Sequence, residues 1–225
     1  MTCPLCGSPS ARFAAGEDRS YRHCPCCGLI FVPRAFFISR EEEVRRYLEH
    51  NNSLDNAGYV AMFEKKIALL DTACPRAATV LDYGCGYEPV LKILLERRGY
   101  RADVYDENFF PDNPPRPAYD LVISTETFEH FKTPAREIEK ILSLLAPLGH
   151  LAVMTRFYPA NADGPLREDF ERWYYKRDPT HIVFYSAKTF SWMARHFGLG
   201  IVYNNGEDLV VLQKSPAAAP RTPGT

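Results

Sequence analysis

The chain has no apolar stretch long enough to cross a bilayer: runs such as Ile141–Leu145 and Ile182–Tyr185 fall far short of the roughly 20 residues a spanning helix needs. It has no basic start followed by an apolar segment, so no signal peptide is expected and a cytoplasmic location is. It has no excess of positive charge, with 27 Lys+Arg against 28 Asp+Glu and a formal net charge of -1. That balance argues against a general binder of phosphate backbones, which carries a basic face, although a local basic patch is compatible with it. No Gly-Lys-Ser/Thr follows its glycines, which excludes a phosphate-cradling P-loop. Cysteine is scarce beyond residue 27: five of the seven lie before that point, and only Cys74 and Cys85 after it. In a chain without an export signal, such clustering points to a metal rather than to disulfides.

What is present fits one α/β domain with a minor module. The 225 residues, 46% of them hydrophobic, suffice for a real core. Residues 1–34 show no long helical period and read as a small metal-stapled module. Residues 35–75 read as a helical linker in two pieces, 41–50 and 58–72. In the second, Val60, Phe63, Ile67 and Leu70 recur at helical spacing. From residue 76 to 214 strands and helices alternate: strands at 79–83, 101–105, 121–124 and 149–155, helices at 88–98, 134–146 and 187–197. Such alternation predicts parallel pairing with helices on both faces. Asn205-Gly206 between the last two strands, 200–203 and 209–213, signals a hairpin, so the sheet should end antiparallel. The Pro/Ala-rich tail, 215–225, is expected to be disordered.

Two copies of one knuckle stand in the first module, Cys3-Pro-Leu-Cys6-Gly7 and Cys24-Pro-Cys26-Cys27-Gly28. Each glycine lets the backbone fold under a metal and turn amides toward the thiolates. The seventeen residues between Cys6 and Cys24 lie in the zinc-ribbon range. Cys3, Cys6, Cys24 and Cys27 are therefore expected to hold a structural Zn2+, a closed tetrahedral site without room for chemistry. Cys26 is left as a spare thiol and His23 as a substitute ligand.

Between the first strand of the larger domain and its helix stands Val80-Leu-Asp-Tyr-Gly84-Cys-Gly86-Tyr-Glu-Pro-Val90. Glycines there let the backbone approach a ligand closely. Asp106, 20 residues after Gly86, can take both hydroxyls of an adenosine ribose. Pro89 stands where a dinucleotide fingerprint wants its third glycine. Asp82 would repel a pyrophosphate yet could organise the ammonium end of a methionine. The residues thus favour S-adenosylmethionine over a nicotinamide dinucleotide.

Leu81-Asp-Tyr-Gly-Cys-Gly86 resembles the first motif of class I S-adenosylmethionine-dependent methyltransferases. Tyr119-Asp-Leu-Val-Ile-Ser-Thr-Glu-Thr-Phe-Glu-His130-Phe is similar to their fourth-strand motif, and Pro147-Leu-Gly-His-Leu to the turn before their fifth strand. Together with the terminal hairpin, the likeness covers roughly residues 79–213. The ribbon, the linker around Tyr47–Tyr59 and the segment Arg177–Tyr185 resemble a bacterial subgroup carrying the same ribbon. The resemblance implies a Rossmann-like, mostly parallel sheet and a cofactor site formed by Asp82, Gly84, Cys85, Gly86, Asp106, Thr125 and Glu126. Two departures stand out. Glu88 occupies the third-glycine position of many members, and Pro111–Pro117 leaves little room for the usual third strand with its acidic adenine contact.

Methyl transfer from a sulfonium is an in-line displacement, so positioning supplies most of the catalysis; a base is needed only where the acceptor must lose a proton. His130 follows the fourth strand at the cofactor edge, where the family often has a histidine, and is one catalytic candidate. The other is His181, within the aromatic and charged stretch Phe170–Tyr185, near the edge of the sheet where open α/β folds bind ligands. Local hydrogen bonding would explain His130 equally, and burial in the core His181. Arg172, Trp173, Tyr174 and Tyr175 read either as part of a lid over the acceptor or as aromatic packing. The expected activity is methyl transfer to an O, N or C atom of a small-molecule acceptor. RNA methylation, with the ribbon as a grip, and a non-catalytic scaffold with a degenerate cofactor site are the competing readings.

Overall fold

The computed structural model describes residues 1–16, 18–49 and 52–216. The expected tail therefore lies outside the described residues apart from Ser215 and Pro216. A six-stranded sheet forms the centre, built from β4 (Thr79–Tyr83), β5 (Arg101–Tyr105), β6 (Tyr119–Thr125), β7 (Leu145–Met154), β11 (Leu199–Asn204) and β12 (Leu209–Lys214), in the order β11-β12-β7-β6-β4-β5. The pairs β5–β4, β4–β6 and β6–β7 are parallel; β12 runs antiparallel to β7 and to β11. The fold is thus α/β with a Rossmann-like sheet that closes on an antiparallel hairpin. Among the described residues no strand lies beyond β5. The Pro-rich stretch after Asp106 runs along that edge as turns and loop, as the lack of ring N–H donors in Pro111, Pro114, Pro115 and Pro117 requires.

Alternation along the strands sends successive side chains to opposite faces. Val80, Leu121, Ile123, Ala152, Met154, Leu209 and Val211 pack with α2 (Ala57–Ala73) and α3 (Val90–Arg97). Leu81, Val122, Leu151, Val153, Val210 and Leu212 face the other way, toward α4 (Pro134–Leu144) and α6 (Ala187–Phe197). Both sets are buried, so the strands read as short continuous apolar runs. Caps fix the helix ends: Ser186 and Thr189 form a reciprocal capping box at the start of α6, which stops at Gly198 in a left-handed turn. Observed limits stay within a few residues of the sequence expectation. The strand at 149–155 begins earlier, at Leu145, because Leu145 pairs with Tyr119 before the Pro147–Leu148 irregularity. Helix α1 (Arg40–Tyr47) is capped by Ser39.

The N-terminal module is not a bead on a string. Its strands β1 (Ala11–Ala15), β2 (Ser20–His23) and β3 (Ile30–Phe31) form a sheet that β10 (Val183–Phe184) completes. Cys3, Leu5, Cys24, Cys27, Leu29 and Phe31 join the core under α4 and α6. Ala14, Tyr21, Ile30 and Val32 form a second core with Tyr158, Tyr175, Ile182, Phe184 and Phe170 of α5 (Arg167–Arg172). A short hairpin, β8 (Ala160–Asn161) with β9 (Gly164–Pro165), leads into α5. Among the described residues no helix is long and apolar enough to cross a membrane.

Candidate functional site

One cavity of about 580 Å³ opens at the C-terminal ends of β4, β5 and β6, where open α/β sheets bind ligands. Its size suits a cofactor with a small second molecule. Gly84, Cys85, Gly86, Asp106, Thr125, Glu126, His130 and His181 all line it, so eight of the nine expected cofactor and catalytic positions meet in one place. Asp82 does not. It is buried beneath the glycine loop, where burial, and then the charge of Asp106, push its carboxyl up to about 7. Glu88, half-buried, is also outside the lining.

The glycine loop is built for close approach. Gly84 has φ +84°, and a Cβ placed on it would lie 2.3 Å from the Thr127 hydroxyl oxygen, so the loop and the turn after β6 close on each other only through a glycine. Asp106 directly follows β5 and ties this floor together. One carboxylate oxygen accepts the Gly86 N–H at 3.1 Å; the other accepts those of Asn108 and Phe109 at 2.8 and 3.2 Å. The carboxylate is therefore fixed at the mouth of the loop with lone pairs to spare for ribose hydroxyls.

Beyond this floor the cavity is walled by the turn after β6 and by the segment before β10. His130 donates from Nδ1 to the Thr180 carbonyl (3.0 Å), and His181 from Nδ1 to the Tyr175 carbonyl (2.7 Å). A carbonyl only accepts, so both rings carry their proton on Nδ1 and keep a lone pair on Nε2. Burial lowers both imidazoles, His181 to about 3 with help from His130, so both are neutral at physiological pH. The rings stand 4.9 Å apart, and His130 lies edge-on to Tyr47 of α1. Behind them the Tyr175 hydroxyl contacts both Glu129 and Glu126, the latter at 2.9 Å. Burial raises Glu126 to about 8, reinforced by the charge of Glu129, and raises Glu129 to about 7. Glu126 also sits at φ +48°, a left-handed backbone uncommon for its type.

Several of these residues carry no sequence signal of their own. Tyr47 and Glu43 reach the cavity from the linker, where Glu43 accepts from Tyr47 and from Lys132 (3.1 and 2.6 Å). The aromatic stretch divides. Tyr174 and Tyr175 line the cavity, Trp173 packs into the second core, and Arg172 is exposed.

In the ribbon the sulfurs of Cys3, Cys6, Cys24 and Cys27 gather within 4.8 Å of one another, with Cys3–Cys27 at 3.6 Å and Cys6–Cys24 at 3.4 Å. No disulfide joins them. Such spacings fit four thiolates around one ion at about 2.3 Å. The hydrogen bond between Cys3 and Cys27 draws the Cys3 thiol down to about 5 and drives Cys27 far up. Cys26 is exposed and outside the group. His23 is outside it as well, its Nε2 buried without a partner among the described residues.

The ribbon also grips the cavity wall. Arg19 donates to the carbonyls of Lys176, Asp178 (2.6 Å), Pro179 (3.2 Å) and His181 (3.0 Å). Val32 N–H bonds to the Ile182 carbonyl at 2.8 Å, and the Tyr158 hydroxyl to the Gly28 carbonyl at 2.5 Å. An Arg19→Ala protein is expected to lose about 1.5–3 kcal/mol of stability. The amides of residues 176–182 should exchange faster, while S-adenosylhomocysteine affinity stays within two-fold. Unchanged exchange in that segment would remove the clamp from this account.

Comparison with known proteins agrees with the geometry. A family model described as a methyltransferase domain matches residues 47–204, and the chain belongs to that family of enzymes. No curated protein matches it. Among solved structures it is similar to an O-methyltransferase family protein from Burkholderia thailandensis, with 18% identity and a TM-score of 0.52 over 76% of this chain, which spans 62% of that protein's length. It is also similar to 1,6-didemethyltoxoflavin-N1-methyltransferase of Burkholderia thailandensis. There the identity is 14% and the TM-score 0.50, over 86% of this chain and 98% of the other. The latter structure holds its substrate and S-adenosylhomocysteine. At these identities the likeness concerns the fold.

Proposed function

We propose that the protein transfers a methyl group from S-adenosylmethionine to an O, N or C atom of a small-molecule acceptor. The observation that carries this reading is that the glycine loop and Asp106 share one cavity with His130 and His181. Gly84, Cys85 and Gly86 would lie along the cofactor, Asp106 would take its ribose hydroxyls, and Thr125 and Glu126 would border its methyl-bearing end. Asp82 is too deep to line the cavity, and its part would be to hold the loop from below.

The acceptor's lone pair forms the new bond to the methyl carbon as the sulfur–methyl bond breaks, its electron pair staying on sulfur. The products are methylated acceptor and S-adenosylhomocysteine, and in-line alignment supplies most of the acceleration. His130 and His181 are the catalytic pair, with outward Nε2 lone pairs available for the group that carries the acceptor's proton. The net charge of -1 favours a small molecule over RNA. The four ribbon cysteines would hold Zn2+ in a structural role, since all four positions of a tetrahedron are taken by sulfur.

Calorimetric titration with S-adenosylhomocysteine tests the cofactor. Micromolar binding is expected, weakened about 10–100-fold in Asp106→Ala, the loss of one or two hydrogen bonds to a charged group. Absence of binding by a folded wild-type protein would defeat the proposal. Transfer of labelled methyl from the cofactor into metabolite pools then identifies the acceptor.

A further inference from the structure

Behind the acceptor half of the cavity three side chains converge, each offering a lone pair. Glu129, His130 and His181 each present one ligand atom, and the three atoms lie within 4.8 Å of one another. Glu129 Oε1 and His130 Nε2 are 3.9 Å apart. Glu129 is fully buried, and its Oε2 has no hydrogen-bond partner among the described residues. A buried carboxylate oxygen left bare costs about 1–3 kcal/mol or more, so a structure that keeps one has a use for it.

We propose that Glu129, His130 and His181 bind one divalent first-row transition-metal ion, with its open coordination positions turned toward the acceptor. Two nitrogens and one carboxylate oxygen are a ligand set that such ions take with positions to spare. The 4.8 Å span is close to that of ligands arranged around one ion at about 2.0–2.2 Å, and small side-chain rotations close the difference. The outer shell has the form that ligating histidines require. Each imidazole gives its Nδ1 proton to a backbone carbonyl, which fixes the ring and leaves the Nε2 lone pair free for a ligand. The Tyr175 hydroxyl holds the carboxylate.

His130 and His181 border the cavity while Glu129 stands behind it, so the open positions are those on the cavity side. The ligand that completes the shell is an oxygen-bearing acceptor, such as a hydroxyl beside a carbonyl or a second hydroxyl. Ligation makes such a hydroxyl more acidic, so with the ion bound the two imidazoles act through it instead of taking the proton themselves. This last step rests on the reading of the cavity as a methyl-transfer site; the ion site itself is testable without it.

Co(II) titrated into the full-length protein is the probe. Cobalt at the ribbon cysteines gives an intense near-ultraviolet sulfur-to-cobalt band, whereas cobalt on nitrogen and oxygen gives only weak visible bands. One equivalent of the second kind is expected. It should weaken at least about 10-fold in Glu129→Gln and in His181→Gln, with melting temperatures confirming that both variants fold. His130→Asn, which can keep the bond to Thr180, serves as a third variant. Visible bands that always accompany the sulfur band, or cobalt binding unaltered in every folded variant, would overturn the proposal. S-adenosylhomocysteine titrated into the same samples keeps the two questions apart, because cofactor binding without cobalt binding removes only the metal, and the converse removes only the cofactor.

Discussion

His130→Asn is expected to lower methyl transfer by about 10²–10⁴-fold, the range contributed by a group that deals with an acceptor's proton, while S-adenosylhomocysteine binds as before. The expectation follows from how the ring is held. Nδ1 is occupied by the Thr180 carbonyl and Tyr47 lies edge-on against the ring, so the one functional atom left is Nε2. Asparagine can reproduce the inner hydrogen bond and cannot reproduce the outer lone pair, which separates chemistry from support. The half proposed to hold the cofactor, centred on Gly84, Gly86 and Asp106, does not depend on this ring. Single-turnover transfer of labelled methyl, beside calorimetry of the product cofactor, is the measurement. Turnover within three-fold of wild type would demote His130 to a structural residue. Equal losses of binding and turnover would point instead to collapse of the turn after β6.

The second large effect is expected at the ribbon. Cys24→Ser would remove one of the four sulfurs proposed to hold Zn2+, and Cys24 is fully buried in the core shared with α4 and α6. Where a module of this size depends on a metal, binding free energy is folding free energy. A loss of about 4 kcal/mol or more is expected, lowering Tm by roughly 8–16 °C in a chain of this length. Because β3 pairs with β10, the damage should spread to residues 176–185, which carry Asp178 and His181. Differential scanning calorimetry with elemental analysis for zinc checks it. A Tm within 2 °C of wild type, or a zinc content that the substitution does not change, would show that the cysteines pack without serving a metal. Cys26→Ser is the control and is expected to be silent, since Cys26 is exposed.

Much of the fold was legible because the central strands alternate between two buried faces and are separated by helices of strong apolar period. Val80 and Leu81, or Val210 and Val211, announce opposite sides of one sheet from sequence alone. The missing edge strand was legible too, since proline cannot donate to a ladder. The docking of the ribbon was not. It rests on the two-residue strands Ile30–Phe31 and Val183–Phe184, far apart in sequence and too short to carry a pattern. The cofactor floor could be read from glycine spacing and a carboxylate at the expected distance. Glu129, Tyr175 and Tyr47 could not, because their roles come from burial and from partners on other elements. His181 stood between two readings, and the structure joins them: the ring is buried among aromatics and still borders the cavity.

The pairing of β3 with β10 also sets an order of events during synthesis. Residues 30–31 leave the ribosome well before the strand that completes their sheet, which is about 150 residues further along. At roughly 5–20 residues per second, β3 waits on the order of 8–30 s for its partner. The four-stranded sheet that includes β3 is therefore finished only once β10 has emerged, and the wall that presents His181 comes into being at the same moment.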